Sequence, residues 1–304
     1  MLKPALSVSV ASINRAFLFC ASGDSLYLGA AVLILAVFVS PRFKSRASLL
    51  LRNIACWIAL GMMVMASPPF SYAVDVLFFA MFLVWFFAVA SAAPHHVSAG
   101  LRFGSGALLV TILALMAGSE LRHRQLPMIH GIPADHFAVI GDSISAGIGS
   151  GATPWPTQLA QMTGVTVKNL AKPGAGIADG MAMAAQVTPD DHVIVVELGG
   201  NDMLSGTPSP EFGRDLEALL AELSAPGRIV VMFELPLIPS CVAYGQIQRQ
   251  EATKYGVWLI PKKHFADVLS GRGATLDGLH LSQEGSRKMA LLMKNVLSPV
   301  LRPA

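Results

Sequence analysis

The sequence predicts a three-layer α/β domain built on a parallel five-stranded sheet and preceded by about four transmembrane helices. Three observations lead there. Four charge-free windows (25–41, 53–74, 76–94 and 103–119) follow one another in the first part of the chain. After them, short unbroken runs of β-branched and other apolar residues alternate with amphipathic stretches to the end. Charge is also divided unevenly. Of 22 Lys/Arg and 19 Asp/Glu, residues 1–118 hold seven basic residues (Lys3, Arg15, Arg42, Lys44, Arg46, Arg52 and Arg102) and two acids (Asp24 and Asp75). This sets the domain organisation: a membrane region over 1–118, a linker over 119–134 and an α/β domain over 135–304.

A helix needs about 20 apolar residues to cross a bilayer, with about 17 as the lower limit. All four windows reach that limit. Pro68-Pro69 ends the second helix and turns the chain into the third, because proline lacks the N–H and clashes with the preceding turn. A cleaved signal peptide is the rival reading of the first window, but the window starts far from Met1. A buried helical bundle in a soluble protein is the other rival, and four successive windows with almost no charge count against it.

Orientation follows the distribution of Lys and Arg. The loop after the first window carries Arg42, Lys44, Arg46 and Arg52, the next loop (SPPFSY) has no basic residue, and the third has Arg102. The first and third loops are therefore expected in the cytoplasm. The chain is read as a multi-pass protein of the cytoplasmic (inner) membrane, with both termini and the α/β domain outside, on the periplasmic side. Arg52 and Asp75 are placed at helix ends, where long side chains reach polar surroundings. His95, His96, His123 and His130 have no spacing typical of a metal site. The charge balance excludes a nucleic-acid surface. Cys20, Cys56 and Cys241 imply no disulfide framework.

In the second part, strands are predicted at 136–140, 165–169, 192–198, 228–234 and 257–260. Helices are predicted near 155–163, 177–186, 209–224, 242–255 and 282–297. Continuous apolar strands alternating with helices indicate a parallel sheet covered on both faces. In such sheets ligands bind beyond the carboxyl ends of the strands.

The residues that follow these strand ends carry the chemistry. Gly141-Asp142-Ser143 follows the first strand, Asn169 to Gly176 the second, and Gly199-Gly200-Asn201-Asp202 the third, while Asp277-Gly-Leu-His280 precedes the last helix. A serine hydroxyl becomes a nucleophile when a base takes its proton, and a neutral histidine is the usual base near neutral pH. That assigns Ser143 and His280. Asp277, three residues before His280, can hold the imidazole tautomer and stabilise the imidazolium. The oxyanion of a tetrahedral intermediate needs donors aimed at it. Ser143 N–H, Gly174 N–H and the Asn201 amide fit, with Gly176 a rival for Gly174. Asp142, Gly200 and Asp202 are expected to support the site. Ser145 is a rival nucleophile that faces the following helix.

These four blocks, in this order, resemble the SGNH hydrolase superfamily, also called the GDSL esterase/lipase family. The resemblance covers residues 136–298 and is closest to compact thioesterase/lysophospholipase-like and acetylesterase-like members. One position departs: the motif's usual Leu is Ile144. The resemblance implies a flavodoxin-like sheet, no metal or other cofactor, and Ser143, Gly174, Asn201 and His280 in the roles just given. An α/β-hydrolase shares the chain order Ser…Asp…His, but it requires G-x-S-x-G, and position 145 is Ser.

The function expected from this is a membrane-anchored serine esterase acting on lipid-type esters or O-acetyl groups through an acyl-Ser143 intermediate, with an ester substrate and the lipid bilayer as its partners. The alternatives are an O-acyltransferase of envelope glycans using the same triad, and a non-catalytic module that binds glycan or lipid.

Overall fold

The structure, a computed structural model, describes residues 14–43, 45–90, 98–148 and 151–302. His95 and His96 lie outside these residues. A first helix, α1, is described over residues 14–21. Four long helices follow: α2 (Asp24–Val39), α3 (Arg46–Met65), α4 (Tyr72–Ala90) and α5 (Ala99–Arg122). Each is long and apolar enough to cross a membrane. Helix α3 stops three residues before Pro68, as the Pro-Pro pair requires. Helix α5 runs through Arg122, so the first residues expected to be linker are helical. The bundle packs around Leu33, Cys56, Phe82, Trp85 and Leu113, while Leu35, Phe38, Leu51, Ile58 and Leu115 point outward and stay exposed. Apolar side chains on the outside as well as the inside mark a helix bundle suited to lipid.

Arg52 lies in the second turn of α3 and is buried. Its guanidinium bonds the Asn53 side chain (2.8 and 3.1 Å) and reaches Val89 O at the end of α4 (3.4 Å).

The α/β part holds a five-stranded sheet in the order β2-β1-β3-β4-β5, every pair parallel. The strands are β1 (His136–Gly141), β2 (Thr166–Asn169), β3 (Val193–Glu197), β4 (Ile229–Phe233) and β5 (Trp258–Ile260). Alternation along a strand sends successive side chains to opposite faces. Phe137, Val139, Val193 and Val195 enter one core, with α7 (Trp155–Thr163), α12 (Lys262–Ser270) and α13 (Gln283–Leu297). Ala138, Ile140, Ile194 and Val196 enter the other, with α8 (Gly180–Ala184), α10 (Ser209–Leu223) and α11 (Val242–Tyr255). The two cores give the three layers of an SGNH-like fold. All five strands and the five predicted helices fall where the alternation of apolar runs places them, α8 being shorter than its predicted 177–186, while α12 is not among the predicted helices. Two short helices, α6 (Ser143–Ala146) and α9 (Gly200–Ser205), begin directly after β1 and β3.

Candidate active site

Because the sheet is parallel, the segments after β1, β2 and β3 emerge at one edge. Gly141 closes β1, and a Cβ there would lie 2.7 Å from both Ser145 Cβ and Ser145 Oγ, so the tight turn requires glycine. Asp142 N–H donates to Glu197 O (3.2 Å), tying this turn to the end of β3. The Asp142 carboxylate caps α6 by accepting from Ile144 N–H (2.8 Å). Ser143 is the first residue of α6 and is 7% exposed.

Asp277 and His280 are brought together on the turn before α13. Asp277 Oδ2 bonds His280 Nδ1 (2.6 Å), while Asp277 Oδ1 accepts from the backbone N–H groups of Leu279 (2.9 Å) and His280 (2.8 Å). One carboxylate thus builds the turn and fixes the ring. Partial burial pushes the Asp277 carboxyl up, but the bonds from the His280 ring and the two N–H groups outweigh this and hold it at about 2. Against the larger upward push of burial, the His280 ring lies near enough for its charge to draw the Asp142 carboxyl downward. Ser143 Oγ makes no hydrogen bond to a described residue, and neither does His280 Nε2. Such serine–histidine contacts often tighten only around substrate.

The oxyanion candidates separate by where their hydrogens point. Ser143 N–H begins a helix and has no acceptor within it. Gly174 sits at φ +78°, in the left-handed region, and its N–H donates to no described residue. Gly176 N–H donates to Asp179 Oδ2 (2.9 Å), so of the two glycines it is Gly174 that keeps a free donor. Asn201, in the first turn of α9, donates from Nδ2 to Ala175 O (2.9 Å) and to Asp142 Oδ2 (3.1 Å). Both amide hydrogens are engaged, and donation to an oxyanion asks the longer bond to be shared. Asp202 Oδ2 accepts from Ile177 N–H (2.9 Å) and holds the segment after Gly176. Gly200 lies beside the Asp142 carboxylate: a Cβ there would stand 3.5 Å from Oδ2, an ordinary contact.

Ser145 is fully buried. Its Oγ donates to Glu197 Oε2 (2.7 Å) and accepts from Trp155 Nε1 (3.0 Å), which removes it from solvent and substrate. Glu197 itself, the last residue of β3, is the site residue that sequence reasoning passed over. The signal was a charged residue closing the apolar run VIVV. Burial, and then the Asp142 charge, push its carboxyl well above the usual range, and burial raises Asp142 to about 6. Burial and the neighbouring Asp142 charge thus favour the protonated form of Glu197. The remaining negative charge faces Ile144 N–H and the Asn201 amide.

A cleft of about 510 Å³ opens beside Gly174 and Asn201. Asp179, Asp202, Ser205, Thr207, Glu211 and Asp215 line it, an acidic wall that disfavours anionic groups.

Residues 139–288 match the GDSL-like Lipase/Acylhydrolase family. No curated protein matches the sequence. Among solved structures, TesA is similar at 23% identity, over 55% of this chain and 99% of its own, with a TM-score of 0.47. The psychrotrophic esterase EstA from Pseudoalteromonas is similar at 18% identity, over 54% and 97%, with a TM-score of 0.47. A G-D-S-L family lipolytic protein from Desulfitobacterium hafniense is similar at 19% identity, over 54% and 99%, also at 0.47.

Proposed function

We propose that this chain, whose residues 139–288 belong to the GDSL-like lipase/acylhydrolase family, is a membrane-anchored serine esterase that works through an acyl-Ser143 intermediate. The observation that carries the reading is the Asp277–His280 pair at 2.6 Å, at the sheet edge where Ser143 and two free backbone donors also stand.

In this reading Ser143 Oγ attacks the ester carbonyl carbon while His280 Nε2 takes its proton. Asp277 keeps Nδ1 protonated and stabilises the imidazolium. Ser143 N–H, Gly174 N–H and Asn201 Nδ2 receive the negative charge on the carbonyl oxygen, each such donor contributing about 3–4 kcal/mol to the barrier reduction. The alcohol leaves with the proton from His280. Water then enters, its oxygen attacks the acyl carbon as His280 takes its proton, and His280 returns that proton to Ser143 Oγ as the acyl–serine bond breaks and the carboxylic acid leaves. The Asp142–Glu197 pair holds Asn201 and the first turn of α6 in position.

The four apolar helices α2–α5 support anchoring in the inner membrane, and Arg42 and Lys44 after α2, Arg46 and Arg52 early in α3 and Arg102 in the first turn of α5 support a periplasmic hydrolase domain. The test compares purified full-length protein with Ser143→Ala on p-nitrophenyl acetate in detergent. Turnover by the wild type that disappears in the variant supports the reading. A folded wild type without turnover, or a variant with the wild-type rate, overturns it.

A further inference from the structure

The hydrolase part meets the helix bundle at the same sheet edge that carries the candidate active site. Lys262, just after β5, is buried and donates from Nζ to Ala66 O (3.2 Å) and Ser67 O (3.1 Å), the carbonyls just past the end of α3. Arg249 on α11 bonds Glu120 near the end of α5 (2.6 and 3.0 Å) and Glu234, directly after β4 (2.7 Å). Gln246 donates to Phe70 O, between α3 and α4. Lys263 reaches Asp24 at the start of α2 (3.4 Å). The start of α2 and the segment after α3 therefore meet residues just beyond β5, the end of α5 is linked through Arg249 to Glu234 just beyond β4, and the turn before α4 meets Gln246 on α11. Strand β1, which delivers Ser143, is two places from β4, roughly 10 Å along the same edge.

A second connection reaches the histidine. Helix α1 leads into α2 through Ser22-Gly23, and at its other end Asn14 Nδ2 donates to Gly278 O (3.3 Å), inside the Asp277–His280 turn. Eight residues of helix span roughly 12 Å, so the His280 turn lies that far from the start of α2. Leu18 anchors α1 in the hydrolase core, whereas Phe17 and Phe19 are 43% and 40% exposed. The active-site rim is apolar and exposed as well: Leu276 (59%) and Leu279 (39%) flank the histidine turn, and Ile148 (38%) follows the nucleophile helix. Exposed apolar side chains on the histidine turn and beside the nucleophile helix mark a surface that is covered in use.

We propose that this mouth opens onto the bilayer surface and that the substrate is an acyl ester resident in the membrane, a single-chain or lipid-linked amphiphile rather than a soluble ester. The proposal rests on the esterase reading above. The acyl chain stays among Leu276, Leu279, Phe17 and Phe19 and the adjoining lipid, while the polar alcohol portion occupies the acidic cleft beside Asn201. Hydrolysis consumes one water and releases a fatty acid and the alcohol. An anionic alcohol portion is turned over more slowly, because Asp179, Glu211 and Asp215 repel it.

The test uses full-length protein in phosphatidylcholine vesicles that contain lysophosphatidylcholine as the membrane ester, with p-nitrophenyl acetate as the soluble one. At fixed bulk substrate, the rate on the membrane ester rises with its mole fraction in the vesicle. In a Phe17→Ser/Phe19→Ser variant that rate falls roughly tenfold, the effect of losing about half the burial of one such apolar side chain, while turnover of p-nitrophenyl acetate is unchanged. A rate that follows bulk concentration only, a variant that leaves the membrane ester untouched, or turnover of soluble O-acetyl sugars without lysophosphatidylcholine overturns the inference and leaves the esterase reading intact. Absence of turnover on p-nitrophenyl acetate as well overturns the esterase reading itself.

Discussion

Replacing Asp277 with Asn tests the geometry of the histidine turn with little change in shape. Asp277 Oδ1 accepts two backbone N–H groups, which only an oxygen can do, so an Asn at this position keeps its Oδ1 there and turns its Nδ2 toward His280. At 2.6 Å from Nδ1, the amide now donates where the carboxylate accepted. The imidazole is forced to carry its proton on Nε2, the nitrogen that must receive the Ser143 proton. In serine hydrolases this wrong tautomer lowers kcat about 10⁴-fold, equivalent to roughly 5.5 kcal/mol of barrier. Asp277 is half-exposed, and the turn keeps its backbone bonds, so the folded state should be almost unaffected. The assay is steady-state hydrolysis of p-nitrophenyl acetate, with thermal unfolding of both proteins in the same detergent. A fall near 10⁴ in kcat at unchanged unfolding temperature and KM is expected. A variant within tenfold of wild type would mean that Asp277 serves the turn and not the histidine. Because Asp277 stays ionised down to about pH 2, its own protonation should leave no mark on the pH–rate profile above about pH 3.

Three further outcomes follow from the site and its support. Asn201→Ala should lower kcat about 10²–10³-fold with little change in KM, read from the same ester assay. For Asp142 and Glu197 the folded carboxyl groups bind protons more tightly than the unfolded ones, so their contribution to stability falls as pH rises from about 4 through about 6. Glu197→Gln should flatten that decline, as measured by chemical denaturation at pH 5 and pH 8, and should leave kcat within a few-fold. Lys262→Met leaves the Ala66 and Ser67 carbonyls without their ammonium donor; an unsatisfied buried acceptor costs about 1–3 kcal/mol, partly offset by no longer burying a charge, and a lower unfolding temperature in detergent is expected.

The sheet was legible in the sequence because its strands are buried on both faces and read as unbroken apolar runs, as in VIVV before Glu197 and IVVMF before Glu234. The four membrane-length helices were legible for a related reason, since a helix facing lipid keeps apolar residues all round. The candidate residues were legible because their four blocks each follow a strand or precede a helix, where local turn chemistry is visible. What escaped notice depends on contacts distant in sequence. Glu197 meets Asp142 and Ser145 across neighbouring strands, and no local pattern announces those contacts. Lys262 and Arg249 look like ordinary surface cations until the ends of α3 and α5 are set against them. The described part of α1 offers little periodicity, and its role shows only in the contacts of Leu18 and Asn14. The choice between Gly174 and Gly176 needed the Gly176–Asp179 bond.

The most direct test of the central claim is covalent trapping of the nucleophile. Full-length protein in detergent is treated with a fluorophosphonate ester, digested and mapped by mass spectrometry. The account predicts a single stoichiometric adduct on Ser143, absent in Ser143→Ala and strongly slowed in His280→Ala. An adduct on Ser145 or elsewhere, or no adduct on the folded wild-type protein, would contradict it.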